Sequence, residues 1–107
     1  MSWSVKDIPD QSGKIVLITG ANSGLGYETL KVFCGKGAHV LMGCRSKFKA
    51  EKSREKILNK NDITGSIEII KMDLSDLSEV KLAADYISRK YMKLDVLINN
   101  AGIMAPP

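Results

Sequence analysis

The chain has 107 residues, of which 44% are hydrophobic and 26% are charged, and its formal net charge is +4. These values indicate one globular domain and exclude a disordered, fibrous or repetitive architecture. No apolar stretch has the length of a membrane span or a signal peptide, so we expect a cytoplasmic protein. Cys34, Cys44 and the single His39 give neither a disulfide framework nor a metal site. The positive charge comes mostly from scattered lysines, so we expect no nucleic-acid partner.

Strands and helices alternate along the sequence after a polar amino-terminal arm, residues 1–13. Apolar runs predict strands, and 3.6-residue periodicity between turn residues predicts helices. In chain order the predicted elements are a strand at 14–19, a helix at about 25–36, a strand at 39–42, a helix from the N-cap Ser46 to about Asn59, a strand at 67–72, a helix after Asp76 and a strand at 94–98. This order predicts an α/β fold with a doubly wound, Rossmann-type parallel sheet that is truncated after its fourth strand.

Two of the predicted helices have recognisable buried faces and caps. The second helix carries a narrow apolar stripe of Ala50, Ile57 and Leu58. In the third helix the predicted stripe consists of Leu77, Val80, Ala84, Ile87 and Tyr91. Asp76 with Glu79 three residues later resembles a capping box, in which each side chain bonds the other's backbone amide.

A glycine-rich turn joins the first predicted strand to the first predicted helix. Its sequence is T-G-A-N-S-G-L-G, with glycines at positions 20, 24 and 26. Glycine lets the backbone approach a ligand closely, and a helix N-terminus offers free N–H groups to an anion. Asn22 and Ser23 add short side chains that bond within the turn or to phosphate oxygens. The pattern predicts binding of a dinucleotide phosphate, and the plain alternative is a tight turn.

Arg45 ends the second predicted strand, nineteen residues beyond Gly26. An acidic residue near this position would accept the ribose hydroxyls of NAD, whereas an arginine pairs with the 2′-phosphate of NADP. No Asp or Glu lies between Gly37 and Ala50. The sequence therefore favours NADP over NAD, and the alternative interpretation is a surface arginine at a strand end.

Polar and small residues also end the third and fourth predicted strands. Asp73-Leu74 follows the third strand, where a carboxylate can accept a hydrogen bond from the adenine amino group. An acid favoured by the dipole of the next helix is an equally simple interpretation. Asn99-Asn100-Ala101-Gly102 ends the fourth strand, and its small residues would let a nucleoside lie against the backbone.

These motifs, in this order and at these separations, closely resemble the amino-terminal half of the classical short-chain dehydrogenase/reductase family. The segments 8–10, 43–45 and 97–104 look like its NADP-preferring, retinol-dehydrogenase-like branch. The resemblance implies that the pyrophosphate is held by Gly20, Ser23, Gly24, Leu25 and Gly26. It further implies that Arg45 binds the 2′-phosphate and that Asp73 and Leu74 address adenine. Asn99, Ala101 and Gly102 would line the adenosine ribose.

The catalytic residues of the family have no counterpart in this sequence. Its Ser and its Tyr-x-x-x-Lys pair follow the N-N-A-G segment, as does a catalytic Asn on the next helix. Tyr86 and Lys90 have the right spacing but precede the fourth strand, so we interpret them as a solvated helix pair.

The first hypothesis is an NADP-dependent oxidoreductase acting on an alcohol or carbonyl substrate, represented by its coenzyme-binding half and inactive alone. The second is a non-catalytic nucleotide-binding or interaction module that self-associates through an open edge of the fourth strand. The third is an inactive fragment.

Overall fold

A computed structural model describes residues 9–20, 24–60 and 63–99 of the chain. All seven predicted elements are present, with ends that differ from the predictions by up to two residues. They are β1 (Ile15–Thr19), α1 (Gly24–Gly35), β2 (His39–Cys44), α2 (Lys47–Leu58), β3 (Ser66–Lys71), α3 (Leu77–Lys90) and β4 (Val96–Asn99). Within the described ranges, none of the three helices is both long and apolar enough to cross a membrane.

The four strands form one parallel sheet in the order β3-β2-β1-β4. The chain moves outward from β1 through β2 to β3 and then returns to the other side of β1. Right-handed crossovers place α1 and α2 on one face of such a sheet and α3 on the other. The predicted doubly wound, Rossmann-type sheet is confirmed.

Two apolar clusters fill the two faces of the sheet. The cluster under α1 and α2 includes Val16, Ile18, Val40 and Met42 from the strands and Leu30, Cys34, Ala50 and Ile57 from the helices. The cluster under α3 consists of Leu17, Leu41, Ile70, Met72, Ala83 and Ile87. Both central strands are therefore buried on both faces, which explains their nearly continuous apolar sequences.

The predicted apolar stripes are partly wrong. Leu77 is 81% exposed, and Ala83, not Ala84, is the buried alanine of α3. Leu58 of α2 is also exposed, although Ala50 and Ile57 are buried as predicted. Position 77 is the first residue of α3. Periodicity alone leaves the rotation of a helix uncertain by about one residue.

The capping-box prediction is half correct. The Asp76 side chain accepts hydrogen bonds from the amides of Ser78 and Glu79, as an N-cap does. Glu79 does not complete the box, because the amide of Asp76 donates instead to the carbonyl of Asp73 at 2.9 Å. The Glu79 carboxylate reaches back to the amide of Asp73.

Candidate coenzyme site

The carboxyl ends of the strands meet at one edge of the sheet. The chain reverses its direction of winding between β1 and β4, and ligands of open α/β sheets bind at that reversal. Thr19 pairs with Asn99 across these two strands, so Gly20 and Asn99 lie on either side of the crevice. Arg45 and Asp73 follow β2 and β3 at the same edge. The fold thus brings together residues that are up to 79 positions apart in the sequence.

Gly20 begins the turn that leaves β1 and has a backbone φ of 64°. This left-handed conformation favours glycine, because a Cβ would crowd the backbone. Its amide donates to the carbonyl of Gly43 at 3.1 Å, which ties the turn to the end of β2. Asn22 and Ser23 lie outside the described residues. Gly24 and Leu25 are the first residues of α1, and Gly26 is buried in its first turn.

The first turn of α1 lies at the same edge, and the first amides of a helix have no partner within the helix itself. No acidic residue stands in that turn, so no carboxylate of the turn offsets the positive end of the helix dipole. A glycine turn followed by such a helix end has the geometry that accepts a phosphate group.

Gly43 belongs to this site, although the sequence analysis did not select it. A Cβ at Gly43 would lie 3.3 Å from the Thr19 Cγ2 and 3.5 Å from the Ile18 carbonyl oxygen. A larger residue would therefore push β2 away from the point where β1 turns. Its signal in the sequence is a glycine that interrupts an apolar strand just before Cys44-Arg45.

Arg45 is exposed and lies between β2 and α2. The next residue, Ser46, caps α2 by accepting a hydrogen bond from the amide of Lys49 at 3.3 Å. The first turn of α2 carries no acidic residue and includes Lys47. A guanidinium beside a helix N-terminus makes this corner of the edge positive, which suits an anionic group.

Asp73 lies on the loop from β3 to α3, close enough to Arg45 for their charges to interact. Hydrogen bonds from the Ser75 hydroxyl and amide lower the pKa of Asp73, and the charges of Arg45 and Lys71 lower it further. The carboxylate is therefore ionised and able to accept a hydrogen bond near neutral pH. Leu74 beside it is 37% exposed.

Asn99 is the last residue of β4. Ala101 and Gly102, the other predicted members of this group, lie outside the described residues. The structure therefore brings Gly20, Arg45, Asp73, Leu74 and Asn99 to one edge, as the sequence motifs predicted.

The parallel sheet and its flanking helices together define an α/β protein of the Rossmann type. The profile of the short chain dehydrogenase family matches residues 14–107, and the chain belongs to the short-chain dehydrogenase/reductase family. A short-chain dehydrogenase/reductase of Armillaria gallica is 42% identical over 106 residues, which are 98% of this chain and 33% of that protein. The chain thus spans about a third of the length of such relatives.

Solved structures agree with this assignment. An uncharacterised protein from Mycobacterium paratuberculosis is 38% identical, with a TM-score of 0.77 over 94% of this chain and 34% of that one. The RhlG/NADP active-site complex of Pseudomonas aeruginosa is 25% identical, with a TM-score of 0.73 over 83% of this chain and 34% of that one.

Tyr86 and Lys90 belong to a polar cluster elsewhere on the molecule. Lys90 donates to the Tyr86 hydroxyl at 3.0 Å and to Glu68 at 3.1 Å, and both Tyr86 and Tyr91 donate to Glu68. His39 bonds the Tyr91 hydroxyl at 2.8 Å. His39 is the first residue of β2, so the cluster lies toward the amino ends of the strands, away from the crevice. Tyr86 and Lys90 therefore have a structural role, as their position in the sequence indicated.

This cluster makes the free energy of unfolding depend on pH in the acidic range. Burial alone would raise the pKa of Glu68, but hydrogen bonds from Tyr86, Tyr91 and Lys90 outweigh burial and lower it to about 2. The stabilisation is therefore complete above the ordinary carboxyl pKa of about 4.5 and is lost as the pH falls toward 2. We expect Glu68→Gln to lower the free energy of unfolding at pH 7 by about 2 kcal/mol, a value reduced for the solvent exposure of Lys90.

Urea unfolding at several pH values measures this effect. The difference between Glu68→Gln and the unsubstituted protein should shrink steadily from pH 4.5 to pH 2. Glu51→Gln, on the exposed side of α2, is the control and should change stability by less than about 0.5 kcal/mol. A difference for Glu68→Gln that does not vary with pH would show that its charge is not stabilised by the cluster.

Proposed function

We propose that this chain is the coenzyme-binding part of an NADP-dependent oxidoreductase that moves a hydride between nicotinamide and an alcohol or carbonyl. The observation that carries the proposal is the meeting of Gly20, Arg45 and Asp73 at the carboxyl edge beside the reversal between β1 and β4. Family membership supports the oxidoreductase class. The preference for NADP depends on Arg45 and on the lack of Asp or Glu in the sequence between Gly37 and Ala50.

The described residues suit the coenzyme chemically. A phosphate at the first turn of α1 would meet the first amides of the helix in a turn that carries no acidic residue. Gly43 allows β2 to lie close to the end of β1 beside this turn. In this proposal Gly20, Asn22, Ser23, Gly24, Leu25 and Gly26 hold the pyrophosphate. Arg45 pairs with the 2′-phosphate, Asp73 and Leu74 bind adenine, and Asn99, Ala101 and Gly102 line the ribose.

In this proposal the chain binds the coenzyme and orients it. When bound, the coenzyme supplies or accepts the hydride, and the protein fixes its position relative to the substrate. The family's Ser and Tyr-x-x-x-Lys pair follow the N-N-A-G segment, so we expect these 107 residues to bind coenzyme without turnover. We also propose a cytoplasmic location, a reducing compartment in keeping with the free thiols of Cys34 and Cys44.

Calorimetric titration with NADP and with NAD tests the proposal. We expect both to bind, with NADP at least about tenfold tighter because of the added charge-assisted bonds to the 2′-phosphate. Circular dichroism of the same sample establishes that the protein is folded. Absence of heat with either coenzyme, or tighter binding of NAD, would contradict the proposal.

A specific observation favours a second candidate, an interaction module. Leu97 of β4 is 61% exposed, and Met92 in the preceding loop is fully exposed. A cavity of about 360 Å³ opens nearby, lined partly by Leu17, Ile87 and Leu94. Such an apolar surface beside an edge strand supports self-association. Sedimentation velocity distinguishes the two candidates, because a monomer at all concentrations would contradict self-association.

A further inference from the structure

Glu79 holds the loop between β3 and α3 from the helix side. One carboxylate oxygen, Oε1, accepts a hydrogen bond from the amide of Asp73 at 3.2 Å. The other oxygen, Oε2, contacts the Lys71 ammonium at 3.1 Å. The Glu79 side chain is only 28% exposed, so these bonds are partly shielded from water. A single side chain thus bridges the last residue of β3 and the first turn of α3.

The amide, the carbonyl and one carboxylate oxygen of Asp73 are hydrogen-bonded within this loop. The Asp73 amide donates to the Glu79 carboxylate, and the Asp73 carbonyl accepts from the amide of Asp76 at 2.9 Å. Its carboxylate oxygen Oδ1 accepts from the Ser75 amide at 2.9 Å and the Ser75 hydroxyl at 2.6 Å. These bonds fix both the backbone and the rotamer of Asp73, and none of them involves Oδ2. Among the residues that the structure describes, none donates a hydrogen bond to Oδ2, so this is the oxygen left for a ligand.

We infer that Glu79 is a positioning residue for recognition of adenine, acting through Asp73. This inference rests on the proposed function, in which Asp73 accepts a hydrogen bond from the adenine amino group. A carboxylate discriminates between bases only if it is held in place, because a mobile one adapts to either base. Ser75 restrains the Asp73 side chain, whereas Glu79, together with the Asp76 amide, restrains the Asp73 backbone.

A purely structural role would look different. In a capping box Glu79 would bond the amide of Asp76 and stabilise α3 alone. The Asp76 amide is already bonded to the Asp73 carbonyl, so the Glu79 carboxylate is directed at the loop. Loss of Glu79 should therefore weaken the discrimination between adenine and other bases, in addition to lowering the stability of the fold.

The test compares NADP with its 6-deamino analogue, in which hypoxanthine replaces adenine and the amino group is lost. The measured quantity is the ratio of the two dissociation constants, obtained by calorimetry. For the unsubstituted protein we expect the analogue to bind about tenfold more weakly, the effect of one hydrogen bond to a charged acceptor. Glu79→Ala should reduce this ratio to less than about threefold.

Two variants serve as matched controls. Glu79→Gln keeps an oxygen that accepts from the Asp73 amide, so its ratio should stay within about twofold of the original. Ser78→Ala removes a hydroxyl bonded to Asp76 in the same helical turn, so it perturbs the cap without touching Asp73. Its ratio should not change. Thermal unfolding of each variant measures stability separately.

The outcomes separate the two claims. If the folded, unsubstituted protein binds neither coenzyme, the proposed function is wrong. If it binds NADP and the 6-deamino analogue with equal affinity, Asp73 does not recognise the amino group and the inference is wrong. If the original ratio is near tenfold and a folded Glu79→Ala retains it, the positioning role is overturned while the proposed function stands. A lowered ratio in Glu79→Ala, restored in Glu79→Gln, supports the role.

Discussion

Gly65→Ala is expected to destabilise the protein by about 3 kcal/mol or more, the upper end of the usual cost of overpacking. A Cβ at position 65 would lie 2.2 Å from the carbonyl oxygen of Ala38 and 2.6 Å from that of Cys34. Both obstacles are backbone atoms, which cannot swing aside as the end of a flexible side chain does. The same oxygens accept hydrogen bonds from the amides of Ser66 and Gly65, so moving them also weakens those bonds.

Gly35→Ala is the matched control for this prediction. Its Cβ would lie 3.7 Å from the Ile63 Cδ1, an ordinary contact, and position 35 ends helix α1. Alanine favours helix, so we expect the control to be neutral or to stabilise by up to about 1 kcal/mol. Urea unfolding of both variants measures the difference. A Gly65→Ala protein with the original midpoint would contradict the close approach of residue 65 to the carbonyls of Cys34 and Ala38.

Arg45→Glu is expected to weaken NADP binding by about a hundredfold and to reverse the preference toward NAD. The substitution removes the charge-assisted bonds to the 2′-phosphate and places a carboxylate where that phosphate would lie. A carboxylate there can instead accept hydrogen bonds from the ribose hydroxyls of NAD. Calorimetry with the two coenzymes gives both affinities.

Lys56→Glu controls for the change in net charge. It changes the net charge by the same amount, but in the last turn of α2, the helix that follows Arg45. We expect at most a twofold loss of NADP affinity, because charges separated by more than about 10 Å are screened at moderate salt. Equal losses in both variants would mean that general electrostatic attraction, and not pairing with Arg45, determines the preference.

Much of the fold follows from local signals in the sequence. Ser46 and Asp76 cap the helices that they were predicted to cap, because a side-chain oxygen that bonds the first free amides acts within three residues. The apolar strands and the alternation of strand and helix then require a parallel sheet. The buried face of α3 was not predictable to within one residue, because whether Ala83 or Ala84 is buried depends on how the helix packs on the strands.

In the candidate site, too, some positions follow from the local sequence and others depend on how the elements pack. The positions of Gly20, Arg45 and Asp73 at the carboxyl edge could be predicted, because each stands in a short motif directly after an apolar run. Gly43 was missed because its importance depends on the register that places it opposite Thr19. Glu79 was assigned to a helix cap, since sequence spacing does not show that the Asp73 carbonyl already satisfies the Asp76 amide. The bonds of Glu68 to Tyr86 and Tyr91 likewise depend on how α3 crosses β3.

The central claim is that the carboxyl edge of the sheet holds the adenosine half of NADP. Its most direct test is a titration of isotope-labelled protein with adenosine 2′,5′-bisphosphate, followed by amide NMR spectra. We expect the signals of Gly26, Arg45 and Asp73 to move, while those of His39 and Ser66, at the amino ends of their strands, stay in place. Movement confined to the amino ends, or no movement at saturating ligand, would contradict it.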